Sequence, residues 1–289
     1  MTGQPGVLDR WVLAARPRTL PAAIVPVVVG AALVRPASIN WSNTGLAAVV
    51  ALALQVGTNY ANDYSDGVRG TDEVRVGPFR LTASKLVAAR VVKAAAFIAF
   101  GVAAATGLVL AARTSWWLVA LGATAILAGY LYTGGPKPYG YFGLGELFVM
   151  AYFGLFATVG TAFVQHGHVV AASWWFGVST GSMACALLEA NNLRDVAGDA
   201  AVGKWTLAAR LGRRRGAWLY VASVAGVVVG IALGGEPIVA VAAVLAYVPG
   251  LRMAFSSREG RELVALLQHS ARAQLAVGAL LVVVFATTR

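Results

Sequence analysis

Hydrophobic residues along this chain are grouped in blocks instead of alternating with polar ones. Nine stretches are almost free of charge: residues 20–34, 44–60, 94–112, 116–132, 147–164, 169–188, 217–233, 238–251 and 273–287. A bilayer-spanning helix needs about 20 apolar residues, whereas a transmembrane barrel strand needs only about 9–11 in strict alternation. The blocks therefore predict an all-α, polytopic membrane protein with nine transmembrane helices in one bundle, a single domain over residues 1–289. The first, eighth and ninth blocks are short, so their helices must borrow flanking residues or sit where the bundle shields them. Ahead of the first block, Asp9 and Arg10 stand beside Trp11, Val12 and Leu13. That order lacks a signal peptide's basic start, apolar middle and small-residue cleavage site, and reads as an interfacial helix.

Composition removes the soluble alternative: 58% of residues are hydrophobic and 12% charged, against about 45–50% and 25% in soluble domains. Cys185 is the single cysteine, so there is no intrachain disulfide framework and no Cys-rich metal site. The net charge of +11 could suggest a nucleic-acid partner, but the placement of the charges explains it differently. With a cytoplasmic N-terminus and nine spans, 20 of the 23 Lys and Arg residues fall in cytoplasmic segments, and only Arg35, Arg113 and Arg289 fall outside. Positive flanks stay cytoplasmic, and one span more or fewer would send later basic loops to the wrong side. The surplus sets topology and can draw anionic lipid or an anionic substrate to the inner face; no nucleic-acid partner is expected.

The chain has twelve acidic residues, and seven fall in two tight groups. Asp63, Asp66, Asp72 and Glu73 follow the second apolar block; Glu189, Asp195 and Asp199 straddle the end of the sixth. Carboxylates at the end of a hydrophobic helix are costly unless paired, solvated or bound to cations, which makes both groups candidate sites. If the second helix runs on to Asp66, then Asn59, Asn62, Asp63 and Asp66 share one face at i, i+3, i+4 and i+7; Asn191, Asp195 and Asp199 stack likewise at i, i+4 and i+8. Carbonyl and carboxylate oxygens on one face suit Mg²⁺, which completes its shell with water and phosphate oxygens. His166, His168 and His269 lie away from both groups, so a zinc reading is poor. The two motifs are separated by four helices, which suggests duplication of a four-helix unit. Two such helix ends facing each other would clamp a diphosphate, with Arg75, Arg80, Lys85, Lys137, Lys204 and Arg210 in the following loops as further donors.

At this point the residues resemble a known family. Asn62, Asp63 and Asp66, then Asp195 and Asp199 followed by Gly203-Lys204-Trp205-Thr206-Leu207-Ala208, are similar to the two motifs of the UbiA superfamily of intramembrane prenyltransferases. Within it the chain resembles most the branch that prenylates 1,4-dihydroxy-2-naphthoate in menaquinone biosynthesis. Arg75-Val76-Gly77-Pro78-Phe79-Arg80, Tyr132-Thr133-Gly134-Gly135-Pro136 and Gly143-Leu144-Gly145-Glu146 carry that likeness, which runs from Arg16-Pro17-Arg18-Thr19 to the last helix. The first motif departs from the family pattern: Gly70 occupies its last position and the next carboxylate is Asp72.

The resemblance implies transfer of a polyprenyl group from its allylic diphosphate to dihydroxynaphthoate, with loss of CO₂ and diphosphate. It implies a bacterial inner-membrane protein with its site at the cytoplasmic mouth of the bundle. Mg²⁺ is the implied cofactor, held by Asn62, Asp63, Asp66, Asp72, Asp195 and Asp199, with Asp66, Asp195 and Lys137 as catalytic groups. Arg75, Arg80, Lys204, Asn59 and Asn192 are the expected diphosphate contacts, and Tyr132, Lys137, Tyr139 and Glu146 the expected acceptor contacts. Oligomeric state and prenyl chain length are not legible. The alternatives are a related prenyltransferase acting on 4-hydroxybenzoate or haem, and a cation transporter or channel, which would place its carboxylates along a midplane path and not at one end.

Overall fold

Each apolar block folds as a helix in the computed structural model, which describes residues 6–71 and 79–288. Among the described residues there is no strand. The helices are α1 (Val7–Ala14), α2 (Pro21–Ala31), α3 (Trp41–Arg69), α4 (Ala89–Arg113), α5 (Trp117–Leu131), α6 (Gly145–His166), α7 (Ala171–Ala201), α8 (Leu207–Leu233), α9 (Pro237–Ala254) and α10 (Val264–Thr288). Helix α1 is the interfacial candidate: Val7, Leu8, Val12 and Leu13 are exposed on it. It meets α2 at a bend of 54°.

The nine blocks coincide with α2–α10, but the nine helices are not equal as membrane spans. By length and apolarity α3, α4, α6, α8, α9 and α10 can each cross a bilayer, and the bent α1–α2 pair makes a seventh. Helix α5 is apolar but only 15 residues long. Helix α7, with 31 residues, is long enough, but it buries Ser173, Ser179, Thr180, Ser182, Glu189, Arg194, Asp195 and Asp199. It runs through the middle of the protein, flanked by α8, α10, α2 and α6, and neighbouring helices supply the shielding that lipid does not.

The two longest helices, α3 and α7, carry the two acidic motifs at their C-terminal ends. Helix α3 is started by Asn40, whose side chain accepts the Asn43 N–H, and stopped by Gly70 in the left-handed region at φ 74°. The Gly70 N–H bonds back to the Asp66 and Gly67 carbonyls, a glycine termination that satisfies otherwise orphaned acceptors. Helix α7 stops before Gly203, at φ 72°, and α8 restarts at Thr206, whose hydroxyl accepts the Ala209 N–H. At the opposite end of the bundle, Asn43 donates to the Val164 carbonyl across 3.1 Å, tying the start of α3 to the end of α6.

Helix α6 contains a wide turn of π geometry at Met150–Phe156. Gly154 lies in that turn, and a Cβ built on it would stand 2.5 Å from the Gly177 carbonyl oxygen and 2.5 Å from the Gly181 Cα. Three glycines thus let α6 and α7 meet backbone to backbone. Substituting Gly154→Val forces the two helices apart and should destabilise the folded protein by about 1–3 kcal/mol. Thermal unfolding in detergent measures this, and an unchanged midpoint would contradict the packing described.

Candidate functional site

A cavity of about 970 Å³ runs between the helices, with one polar end and a long apolar body. Along α3 it is lined from Ala47 to Asp66, a helical rise of about 28 Å. Leu54, Leu108, Leu118, Ile126 and Phe156 contribute to the body, and Asn62, Asp66, Asn191, Asn192, Arg194 and Lys204 to the polar end.

The first motif divides its work. Asn62 Oδ1 accepts the Thr133 hydroxyl at 2.7 Å, and Asp66 Oδ1 accepts the Tyr141 hydroxyl at 2.9 Å. Asp63 faces elsewhere: its two oxygens accept the backbone N–H groups of Leu81 and Thr82 at 2.8 and 2.9 Å, and it is not part of the cavity wall. At about 100° per residue the four polar positions span roughly a quarter turn, and Asp63 sits at the edge that faces the returning loop. Asn59 lines the cavity while donating to the Ala15 carbonyl at 2.9 Å, so it also anchors the N-terminal segment. Asp72 and Arg75 lie outside the described residues.

The second motif presents its cations to the cavity and keeps its carboxylates behind them. Arg194 grips Asp195 through two hydrogen bonds, Nε to Oδ1 at 2.7 Å and Nη2 to Oδ2 at 2.6 Å. Lys204 Nζ lies 4.0 Å from Asp199 Oδ1, both side chains buried. A buried carboxylate is tolerated with such charge-assisted partners. Arg16, Arg18, Arg80 and Arg261 also line the cavity, so cations outnumber carboxylates on its polar wall.

Tyr141 joins the two motifs. Its hydroxyl bonds Asp66, the Lys204 ammonium stands 5.5 Å from its ring centre, and Arg69 lies over the same ring at 5.4 Å. Arg69 also donates to the carbonyls of Thr133 and Gly135, which holds the loop that carries Tyr141 against α3. Burial, and then the negative charge of Asp66, push the Tyr141 phenol up to about 12. It stays protonated at physiological pH and remains a donor to Asp66.

The expected acceptor contacts separate. Tyr132 and Tyr139 line the cavity and begin a ladder of rings down its wall, Tyr132–Tyr139 at 5.4 Å, Tyr139–Phe148 at 3.9 Å, Phe148–Tyr152 at 6.2 Å and Tyr152–Phe156 at 5.2 Å. Burial among these rings raises the Tyr139 phenol far above its ordinary range. Glu146 stands behind the wall, where its Oε1 accepts the Asn192 amide at 3.1 Å. Lys137 is exposed between Pro136 and Pro138 at the loop tip, away from the cavity wall. The prolines and the Arg69 clamp fix the loop with its carbonyls inward, which leaves that side chain outward.

The donor set near the polar end is all hard oxygen, Asn62 and Asp66 on the cavity wall with Asp195 and Asp199 behind Arg194 and Lys204, each at most 5% exposed. Among the described residues no three carboxylate, His or Cys groups converge on one point. Mg²⁺ bound with a phosphorylated substrate needs only one or two carboxylates from the protein, so these residues fit it.

A profile of the UbiA prenyltransferase family matches residues 23–286. The chain belongs to the UbiA prenyltransferase family. It is 47% identical over 273 residues to a Mycobacterium tuberculosis protein named 1,4-dihydroxy-2-naphthoate octaprenyltransferase, covering 92% of this chain and 93% of that one. It is 35% identical to the Escherichia coli protein of the same name, over 70% and 68% of the two chains. In fold it is similar to a UbiA homolog from Archaeoglobus fulgidus bound to DMAPP and Mg²⁺, with a TM-score of 0.67 at 14% identity, over 95% and 99% of the chains. A UbiA homolog from Aeropyrum pernix gives a TM-score of 0.65 at 15% identity, over 98% of each. The family and the apolar helices together make this an integral membrane protein.

Arg16, Arg69, Thr133, Tyr141 and Arg194 line or brace the polar end of the cavity, though none stood among the expected site residues. Arg16 sits ahead of Pro17 in the left-handed region at φ 54°. Tyr141→Phe removes the donor to Asp66 and should lower stability by about 1.5 kcal/mol, read as a fall in the thermal midpoint; no change would show that the bridge carries no energy.

Proposed function

We propose that this protein transfers a polyprenyl group from an allylic polyprenyl diphosphate to 1,4-dihydroxy-2-naphthoate, releasing CO₂ and diphosphate and giving a demethylmenaquinol. The observation that carries this reading is one cavity with two chemistries: an apolar body long enough for an extended isoprenoid and a cationic head beneath two acidic helix ends linked by Tyr141. The names of the Mycobacterium tuberculosis and Escherichia coli relatives support the acceptor. The polar end of the cavity is the end where α3 and α7 finish, and the excess of Lys and Arg there supports a cytoplasmic site in a bacterial inner membrane, with nine spans and the N-terminus inside.

Asn62 and Asp66 on α3, with Asp195 and Asp199 on α7, would hold Mg²⁺. When bound, the metal neutralises charge on the diphosphate and so favours its departure. Arg16, Arg80, Arg194 and Lys204 reach the same space and supply charge to the leaving group. As the bond between the allylic carbon and the diphosphate oxygen breaks, the faces of Tyr132, Tyr139 and Phe148 offer negative quadrupole to the allylic cation. The apolar body excludes water that would capture that cation. The electron-rich ring attacks through the carbon bearing the carboxylate, which leaves as CO₂.

A cation channel or transporter is disfavoured, because the acidic groups gather at one end of the cavity and its body carries none. Asp66→Asn and Asp195→Asn should each lower Mg²⁺-dependent product formation by at least about 100-fold while the variants stay folded in detergent. Chelation of the metal should stop turnover of the unaltered protein, and added Mg²⁺ should restore it. Unchanged turnover in both variants would overturn the reading.

A further inference from the structure

Behind the polar end of the large cavity lies a smaller one of about 250 Å³, whose wall includes Glu146, Glu189, Cys185 and Ser182. Glu189 is fully buried on α7, and its carboxyl lies against that of Glu146 with no other polar partner among the described residues. Glu146 Oε1 accepts the Asn192 Nδ2–H at 3.1 Å.

That single bond fixes which way the Asn192 amide points. An amide has a donor end and an acceptor end; with the NH₂ committed to Glu146, the carbonyl oxygen must point away from the pair. Asn192 lines the large cavity, and its Oδ1 has no partner among the described residues. The surroundings define what that oxygen meets. Gly145, next to Glu146, lies against the Tyr132 ring and hydroxyl and against Leu188, one helical turn before Asn192. Asn192 and the rings of Tyr132 and Tyr139 line the same cavity, so a planar ring stacked on that wall shares its space with the amide.

We infer that Glu146 and Glu189 are positioning residues that lock the Asn192 amide with its carbonyl oxygen toward the cavity, where it accepts a ring hydroxyl of the aromatic acceptor. This deepens the proposed function and rests on it. The acidic pair does not touch substrate. Its effect is on recognition of the acceptor, which departs from the expectation, read from the sequence, that Asn192 contacts the diphosphate at the polar end it shares with Asp66 and Lys204.

The test is steady-state kinetics of the purified full-length protein with Mg²⁺, a polyprenyl diphosphate and dihydroxynaphthoate, varying each substrate in turn. Unaltered protein that makes no prenylated product overturns the proposed function itself, and the inference with it. Given turnover, Glu146→Met frees the amide to rotate and should raise the KM for the naphthoate about fivefold to tenfold, the size of one lost hydrogen bond, with the KM for the prenyl diphosphate unchanged. Asn192→Ala should give the same selective rise, and the double variant should be no worse than Asn192→Ala alone, because both remove one interaction. Glu146→Gln still offers an oxygen to Asn192 and an N–H to Glu189, so it should bring the naphthoate KM back to within about threefold of the unaltered protein. Equal rises in both KM values, additive effects in the double variant, or failure of Gln to rescue would overturn the inference. If Glu146→Met does not fold, Asn192→Ala decides alone: an unchanged naphthoate KM overturns the inference.

Discussion

The structure is organised around the cost of holding carboxylates at the ends of apolar helices. Asp66, Asp195 and Asp199 are each at most 4% exposed, and a buried carboxylate without partners would cost several kcal/mol. Each is matched by a specific group: Tyr141 for Asp66, Arg194 for Asp195 and Lys204 for Asp199. These partners come from different segments, so meeting the electrostatic demand also draws α3, the 133–144 loop, α7 and the 202–206 turn together. The same groups that make the bundle's polar end stable make it a place where an anion meets fixed positive charge.

Position along the cavity then separates the chemical tasks. On the proposed function the cationic head would take the phosphorylated group, and the apolar body behind it the hydrocarbon chain. The aromatic ladder from Tyr132 to Phe156 lies between these regimes and follows the π turn of α6. That turn exists where Gly154 meets Gly177 and Gly181; π turns often occur at functional sites because they re-aim side chains without ending a helix. Close packing of α6 on α7 and presentation of rings to the cavity are two consequences of one local distortion.

The helices, and the gathering of oxygen-bearing side chains at the ends of two of them, were legible in the chain because both follow from short-range pattern. Apolar blocks must form helices in lipid, and the i, i+3, i+4, i+7 spacing places Asn62 and Asp66 together whatever the rest of the fold does. What failed to follow was the fate of individual side chains. Asp63 shares the motif but turns to the Leu81–Thr82 backbone, because a loop 18 residues on returns over that edge of α3. Lys137 has the right charge in the right loop, yet the Arg69 clamp on the Thr133 and Gly135 carbonyls turns it outward. Glu146 sits beside the site and not in it, since Asn192 stands between.

The sequence by itself determined an all-helical membrane protein with two oxygen-rich motifs at like-charged helix ends, because hydrophobic block length, charge placement and helical periodicity are properties of neighbouring residues. Only the tertiary structure decided that Tyr141 would bridge the motifs, that Arg194 and Lys204 would stand in front of their carboxylates, and that α7 would be sheathed by other helices. Those outcomes depend on contacts between residues tens of positions apart, and a contact of that range is set by how whole helices pack, which no local pattern records.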